Sequence, residues 1–150
     1  MNKILAYYIL MNCSNILPTI LEKHDRIIVC GDLHGDIDAL KKILIMTRLV
    51  DNKLNWIGGN SIFVQIGDQM DSIRGEILSN DESRFSFFEI DNLLSKLDKQ
   101  AQKVSKYNKD KKLQCGRVIS LLGNHELLNL QGDFRYVGKK EYQETSSFME

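Results

Sequence analysis

The stretch RIIVCGDLHGDIDALKKIL, residues 26–44, changes period at its centre. Ile27-Ile28-Val29-Cys30 is a short apolar run rich in β-branched residues, with charge before it and Gly31 after it, the pattern of a buried strand. Past the turn, Ile37, Leu40, Ile43 and Leu44 recur at helical spacing, and acidic residues occupy the first turn, where they complement the helix dipole. Strand, tight turn and helix in that order open an α/β arrangement.

The pattern returns twice downstream. Residues 56–60, WIGGN, read as a turn and residues 61–66, SIFVQI, as a second buried strand. Residues 85–107 place Phe87, Ile90, Leu94, Leu97, Ala101 and Val104 on one face with charges opposite, which predicts one long amphipathic helix. Residues 106–112 read as a basic polar connector, a solvated charge run with Tyr107 its single aromatic residue and no series of aromatics to stack bases, so no nucleic-acid surface is indicated. Residues 117–122, RVISLL, predict a third buried strand. The plan is β-α-β-α-β, which favours a parallel sheet with right-handed crossovers.

Bulk properties narrow the function classes. A chain of 150 residues suits one ordinary domain. Lys plus Arg and Asp plus Glu are 20 each, so no net field points to nucleic acid or an anionic membrane, and specificity must be local. Three unpaired-looking cysteines, Cys13, Cys30 and Cys115, fit a reducing, cytoplasmic setting. The opening MNKILAYYILMNCS superficially resembles a secretory signal, but it contains two tyrosines and lacks a small-residue cleavage pattern. Its apolar run is also far shorter than the ~20 residues a membrane span needs. Residues 1–25 are therefore expected to form a helical segment over the sheet, ending near Pro18.

Each apolar run leads straight into related sequence: GDLHGD at 31–36, GDQMD at 67–71, within the longer stretch GDQMDSIRG at 67–75, and GNHE at 123–126. Ligands of open α/β sheets sit beyond the carboxyl ends of the strands, where all three lie, so they are expected to converge. Asp32, His34, Asp68 and Asn124 offer oxygen and imidazole donors that suit Mn, Fe or Zn. A carboxylate on the middle strand, Asp68, can bridge two metals ~4 Å apart, which would clamp a phosphoryl group and acidify a water. Singly, a Gly-Asp pair is ordinary turn chemistry and a lone histidine is usually structural, as His24 is taken to be. The three motifs together point to a site. Asp36 is read as a cap of the first helix, with Gly35 in the turn.

GDLHG, GD-x-x-D and GNHE in this order resemble the metal signature of the calcineurin-like metallophosphoesterases, and more narrowly of the phosphoprotein phosphatases. LNWIGGNSIFVQIGD and GNHELLNLQGDFRYV are similar to the Shewanella-like, bacterial-type branch. The resemblance covers about residues 26–137. It implies a partial metallophosphoesterase fold over residues 26–150, the β-α-β-α-β half of an α/β sandwich, with the metal site at the strand C-terminal ends. It also implies Asp32 and His34 on a first metal, Asp68 as the bridge, Asn124 on a second metal, and His125 as general acid oriented by Asp71. The last pairing has independent sense, since a neighbouring carboxylate favours a protonated imidazole. The implied activity is hydrolysis of phosphate monoesters, in proteins or small molecules. The rivals are nucleotide polyphosphate hydrolysis and a catalytically inactive binding module.

Two departures qualify the resemblance. Ser72 stands where the family has a phosphate-gripping arginine, and Arg74 is the residue expected to reach in instead. The family completes its second metal with two later histidines, whereas this sequence has His24, His34 and His125 only. Asp68 and Asn124 alone hold a metal weakly. The expectation is an incomplete second metal position, apolar sheet faces left exposed, and a chain corresponding to an N-terminal half, whether fragment, split product or shortened copy. A C-terminal half would then come from another chain.

Overall fold

The computed structural model describes residues 24–72, 86–103, 105–107 and 113–148. The helical segment expected at the N-terminus, Val104 and Arg74 lie outside the described residues, apart from the last two positions of that segment. The element order is β1 (Ile27–Cys30), α1 (Ile37–Met46), β2 (Ile62–Gln65), α2 (Phe87–Ala101), β3 (Ser105–Tyr107), β4 (Leu113–Cys115), β5 (Arg117–Ser120), α3 (Asn124–Leu130) and α4 (Lys139–Phe148).

The three long-range strands form one parallel sheet in the order β1-β2-β5. Ile28 pairs with Phe63 and Phe63 with Val118, so these three side chains share a face. That face, with Cys30, packs against Leu40 and Leu44 of α1 and Ile90, Leu94 and Leu97 of α2. Both helices are started by side-chain oxygens: Asp36 Oδ1 accepts from Ala39 N at 2.9 Å, as its N-cap reading expects, and Ser86 Oγ accepts from Glu89 N at 3.3 Å. Asp98 Oδ1 ties α2 to β5, accepting from Arg117 Nε at 3.1 Å and Val118 N at 2.8 Å.

Two expectations are corrected. β1 is buried on one face only, against its reading as a buried strand but in line with the expectation of exposed apolar sheet faces: Ile27 and Val29 are 58% and 59% exposed. β1 is an edge strand of this sheet, and the face carrying these two residues is turned away from α1 and α2. A four-residue apolar run does not reveal by periodicity whether one or both faces are covered. The long helix expected to reach Tyr107 ends at Ala101, and residues 105–107 instead pair antiparallel with 113–115. Ladder pairing across the hairpin overrides a helical period that has run past the core. The turn at residues 56–60 is present, with an antiparallel bridge from Val50 to Trp56 just before it.

Candidate metal centre

Three loops leave the C-terminal ends of β1, β2 and β5 and are stitched together through backbone groups. Leu33 N and His34 N donate to Asp68 O at 2.9 and 3.0 Å, and Gly35 N donates to Gln69 O at 2.8 Å. The third loop is fastened by one side chain. Glu126, 3% exposed, accepts from Asp68 N (2.8 Å), Gln69 N (2.8 Å) and Gly123 N (2.7 Å). A buried carboxylate is tolerable here because three amide donors replace its water.

The backbone at the site is unusual. His34, Asp68 and Asp71 have φ of +46°, +53° and +67°, a region that side-chain-bearing residues seldom occupy. Such positions cost of order 1–3 kcal/mol each and persist where surrounding bonds fix them. Close approach is also enforced by glycine. A Cβ at Gly67, whose φ is +103°, would overlap the Gly123 backbone, and one at Gly123 would overlap the Asp68 carboxylate.

His34, Asp68 and His125 present ligand-type atoms that all lie within 4.8 Å of one another. The His34 and His125 rings meet edge to face at 4.7 Å between centroids. His34 Nδ1 faces two acceptors, Met70 O and Asp71 O, each at 3.1 Å, so it carries the ring proton and donates, and Nε2 is the basic nitrogen. Asp32 Oδ2 lies 3.7 Å from that Nε2, on a side chain that is 53% exposed. Asp68 Oδ1 accepts from His125 N at 2.8 Å. A carboxylate beside an imidazole whose other nitrogen is held by backbone carbonyls fits a divalent metal.

Asp71 has a different surrounding. It is 1% exposed, and its Oδ2 accepts from His125 Nδ1 at 2.9 Å. Asn129 Nδ2 donates to both Asp71 oxygens at 2.8 Å and to His125 O at 3.0 Å. The imidazole is thereby fixed with Nε2 as the nitrogen that can serve the site. The Tyr136 ring meets His125 edge-on at 5.1 Å. Arg135 lies over Tyr136 at 5.7 Å and is paired with Asp133 at 2.7 Å, which holds the Asp133 carboxyl below the usual range.

Asp32, His34, Asp68, Asp71 and His125, each singled out from sequence, are thus brought together. Asn124 is the exposed first residue of α3, directly before His125. Ser72 is turned to Glu141, donating from both N (3.0 Å) and Oγ (3.1 Å) to its carboxylate. Glu126, Asn129 and Glu141 were missed. Two of these carried a signal: Glu126 stands three residues after the helix cap, and Asn129 stands one helical turn from His125. Glu141 had none.

Several proteins similar to this chain carry phosphatase names. Residues 25–149 match the family described as calcineurin-like phosphoesterase. Shewanella-like protein phosphatase 2 of Arabidopsis thaliana is 34% identical over 131 residues, covering 87% of this chain and 28% of the relative. Shewanella-like protein phosphatase 1 of Plasmodium berghei is 42% identical over 119 residues, covering 79% of this chain and 27% of the relative. The solved cold-active protein-tyrosine phosphatase of a psychrophilic Shewanella superimposes with a TM-score of 0.61 at 25% identity, over 91% of this chain and 38% of that one. The chain therefore spans only 27–38% of these three proteins. Among the described residues no helix is long and apolar enough to cross a membrane. With its three strand-end loops and the match over residues 25–149, the chain belongs to the calcineurin-like phosphoesterase family.

Proposed function

We propose that the chain is a metal-dependent hydrolase of phosphate monoesters of the protein-phosphatase kind. The observation that carries this reading is the meeting of His34, Asp68 and His125 within 4.8 Å, with His125 oriented by a buried Asp71. Bound at such a cluster, a divalent metal supplies positive charge to a phosphoryl oxygen and lowers the pKa of a water. Asp32, His34 through Nε2, and Asp68 are the residues that would hold it. Asp68 and Asn124 would be this chain's donors to a second metal.

His125 Nε2 is the proton donor to the departing oxygen. Asp71 accepts the Nδ1 proton and keeps the ring in register, and Asn129 holds Asp71. Ser72 is turned to Glu141, and Arg74 is put forward for the phosphate grip on its place in the sequence alone. Phosphorylated protein side chains are the favoured substrates, in keeping with the protein phosphatase and protein-tyrosine phosphatase names of the relatives.

The test is turnover of an aryl phosphate by the purified chain with and without Mn²⁺, beside Asp68→Asn. Metal-stimulated turnover lost in Asp68→Asn supports the proposal. Bound metal without turnover of any phosphoester favours the binding-module reading. Preferential cleavage of nucleotide polyphosphates favours the nucleotide hydrolase.

A further inference from the structure

Glu141, in the first turn of α4, is 5% exposed and is approached by four donors: Asp71 N, Ser72 N and Gly138 N, each at 3.0 Å, and Ser72 Oγ at 3.1 Å. Burial pushes its carboxyl up, and the Ser72 and Gly138 donors partly offset this. Gly138 is needed for the fit, since a Cβ there would overlap Ser72 Oγ. These bonds anchor the start of α4 to the loop after β2.

The opposite ends of the same peptide groups show more. The amide between Met70 and Asp71 gives its N–H to Glu141 Oε1, while its carbonyl, Met70 O, accepts from His34 Nδ1. The next amide gives Ser72 N–H to Glu141 Oε2, while Asp71 O accepts from His34 Nδ1. Two parallel peptide units therefore connect one buried carboxylate to one ring nitrogen. An anion at the N–H end polarises each unit and makes its carbonyl a stronger acceptor, because bonds in such a chain reinforce one another. A stronger pair of acceptors holds the proton on Nδ1 and raises the basicity of Nε2, the nitrogen facing the metal cluster.

We propose that Glu141 is a positioning residue for the metal centre, setting the tautomer and basicity of His34 through the Met70–Asp71 and Asp71–Ser72 peptide groups. The proposal rests on the metal-site reading for its consequence, and on hydrogen-bond geometry alone for its mechanism. Two readouts keep these apart: the His34 ring tautomer in metal-free, nitrogen-15-labelled protein, and Mn²⁺ affinity measured from the free-ion EPR signal.

In the wild type His34 should carry its proton on Nδ1. Glu141→Gln should allow the Nε2-protonated form to appear and should weaken Mn²⁺ binding roughly tenfold or more, the scale of losing an outer-shell partner. Ser72→Ala removes a contact to Glu141 but neither peptide, and should leave the tautomer unchanged. The proposal is overturned by a wild-type His34 protonated on Nε2, or by Glu141→Gln with wild-type tautomer and affinity. If Glu141→Gln does not fold, the wild-type amide protons of Asp71 and Ser72 decide, because carboxylate-bound amides must resonate downfield and ordinary shifts would refute the relay. A wild type that binds no Mn²⁺ refutes the metal-site reading while the tautomer still tests the relay.

Discussion

Replacing Asp91 with asparagine should make the protein more stable at neutral pH. Asp91 lies on α2 beside core residue Ile90, is 9% exposed, and leaves Oδ2 without a hydrogen-bond partner. Burial pushes its carboxyl from the ordinary 3.8 up to about 6. A folded-state pKa above the unfolded value means that the folded state holds its proton longer. Stability from this group is complete below about pH 4 and is lost as pH rises through about 6. At 1.36 kcal/mol per pH unit the full loss is about 3 kcal/mol, a large share of the 5–15 kcal/mol typical of a domain. The asparagine side chain carries no charge to bury but adds an unmatched amide donor, which costs ~1 kcal/mol at every pH. Urea unfolding from pH 4 to pH 8 measures the balance. The Asp91→Asn variant should be equal or slightly weaker at pH 4 and about 2 kcal/mol more stable at pH 8, a midpoint gain of ~1 M for an m-value near 2 kcal/mol/M. A midpoint difference that is the same at both ends of the pH range would refute the reasoning, because only ionisation of this carboxyl makes it change.

Three further outcomes are expected. His125→Asn should lower kcat by roughly 10²–10⁴-fold while Mn²⁺ affinity is retained, as loss of a general acid predicts; loss of the metal instead would make His125 a ligand. Glu126→Ala, which strands the amides of Asp68, Gln69 and Gly123 without their acceptor, should cost about 3 kcal/mol or more in urea unfolding, and a cost under ~1 kcal/mol would contradict its role as fastener. Gly123→Ala, whose Cβ would overlap the Asp68 carboxylate, should abolish Mn²⁺ binding as measured by EPR, and an unchanged affinity would show that the loops do not need this close approach.

What sequence disclosed was whatever local pattern encodes. The β-branched runs ending at Cys30, Gln65 and Ser120 each finish at a glycine-containing loop, and the loops hold the site acids and histidines, so the parallel sheet and Asp32, His34, Asp68, Asp71 and His125 were all legible. The exposure of Ile27 and Val29 was legible only through the family resemblance, which implies bare sheet faces, since the four-residue run itself leaves no trace of what packs on its second face. The end of α2 was obscured because Val104 continues the apolar spacing, while β3 and β4 gain their ladder from each other. Glu141 was invisible for a related reason. It is one of two glutamates on a polar helix, and its partners Asp71 and Ser72 lie 70 and 69 residues earlier in the chain.

That separation sets an order of events in folding. The loop carrying Asp68 and Asp71 is fixed by Glu126 and Glu141 across 58 and 70 residues, whereas the turns of α1 close within four. Long loops are closed late, after local elements have formed. As the chain leaves the ribosome, β1, α1 and β2 can collapse while the three left-handed residues of the site still lack what holds them. On the proposed metal-site reading, the site would become able to select a metal only when α4 has been made and docked. Metal capture would then be a late step in maturation, since an ion met earlier would find ligands not yet held in place and with little power to discriminate.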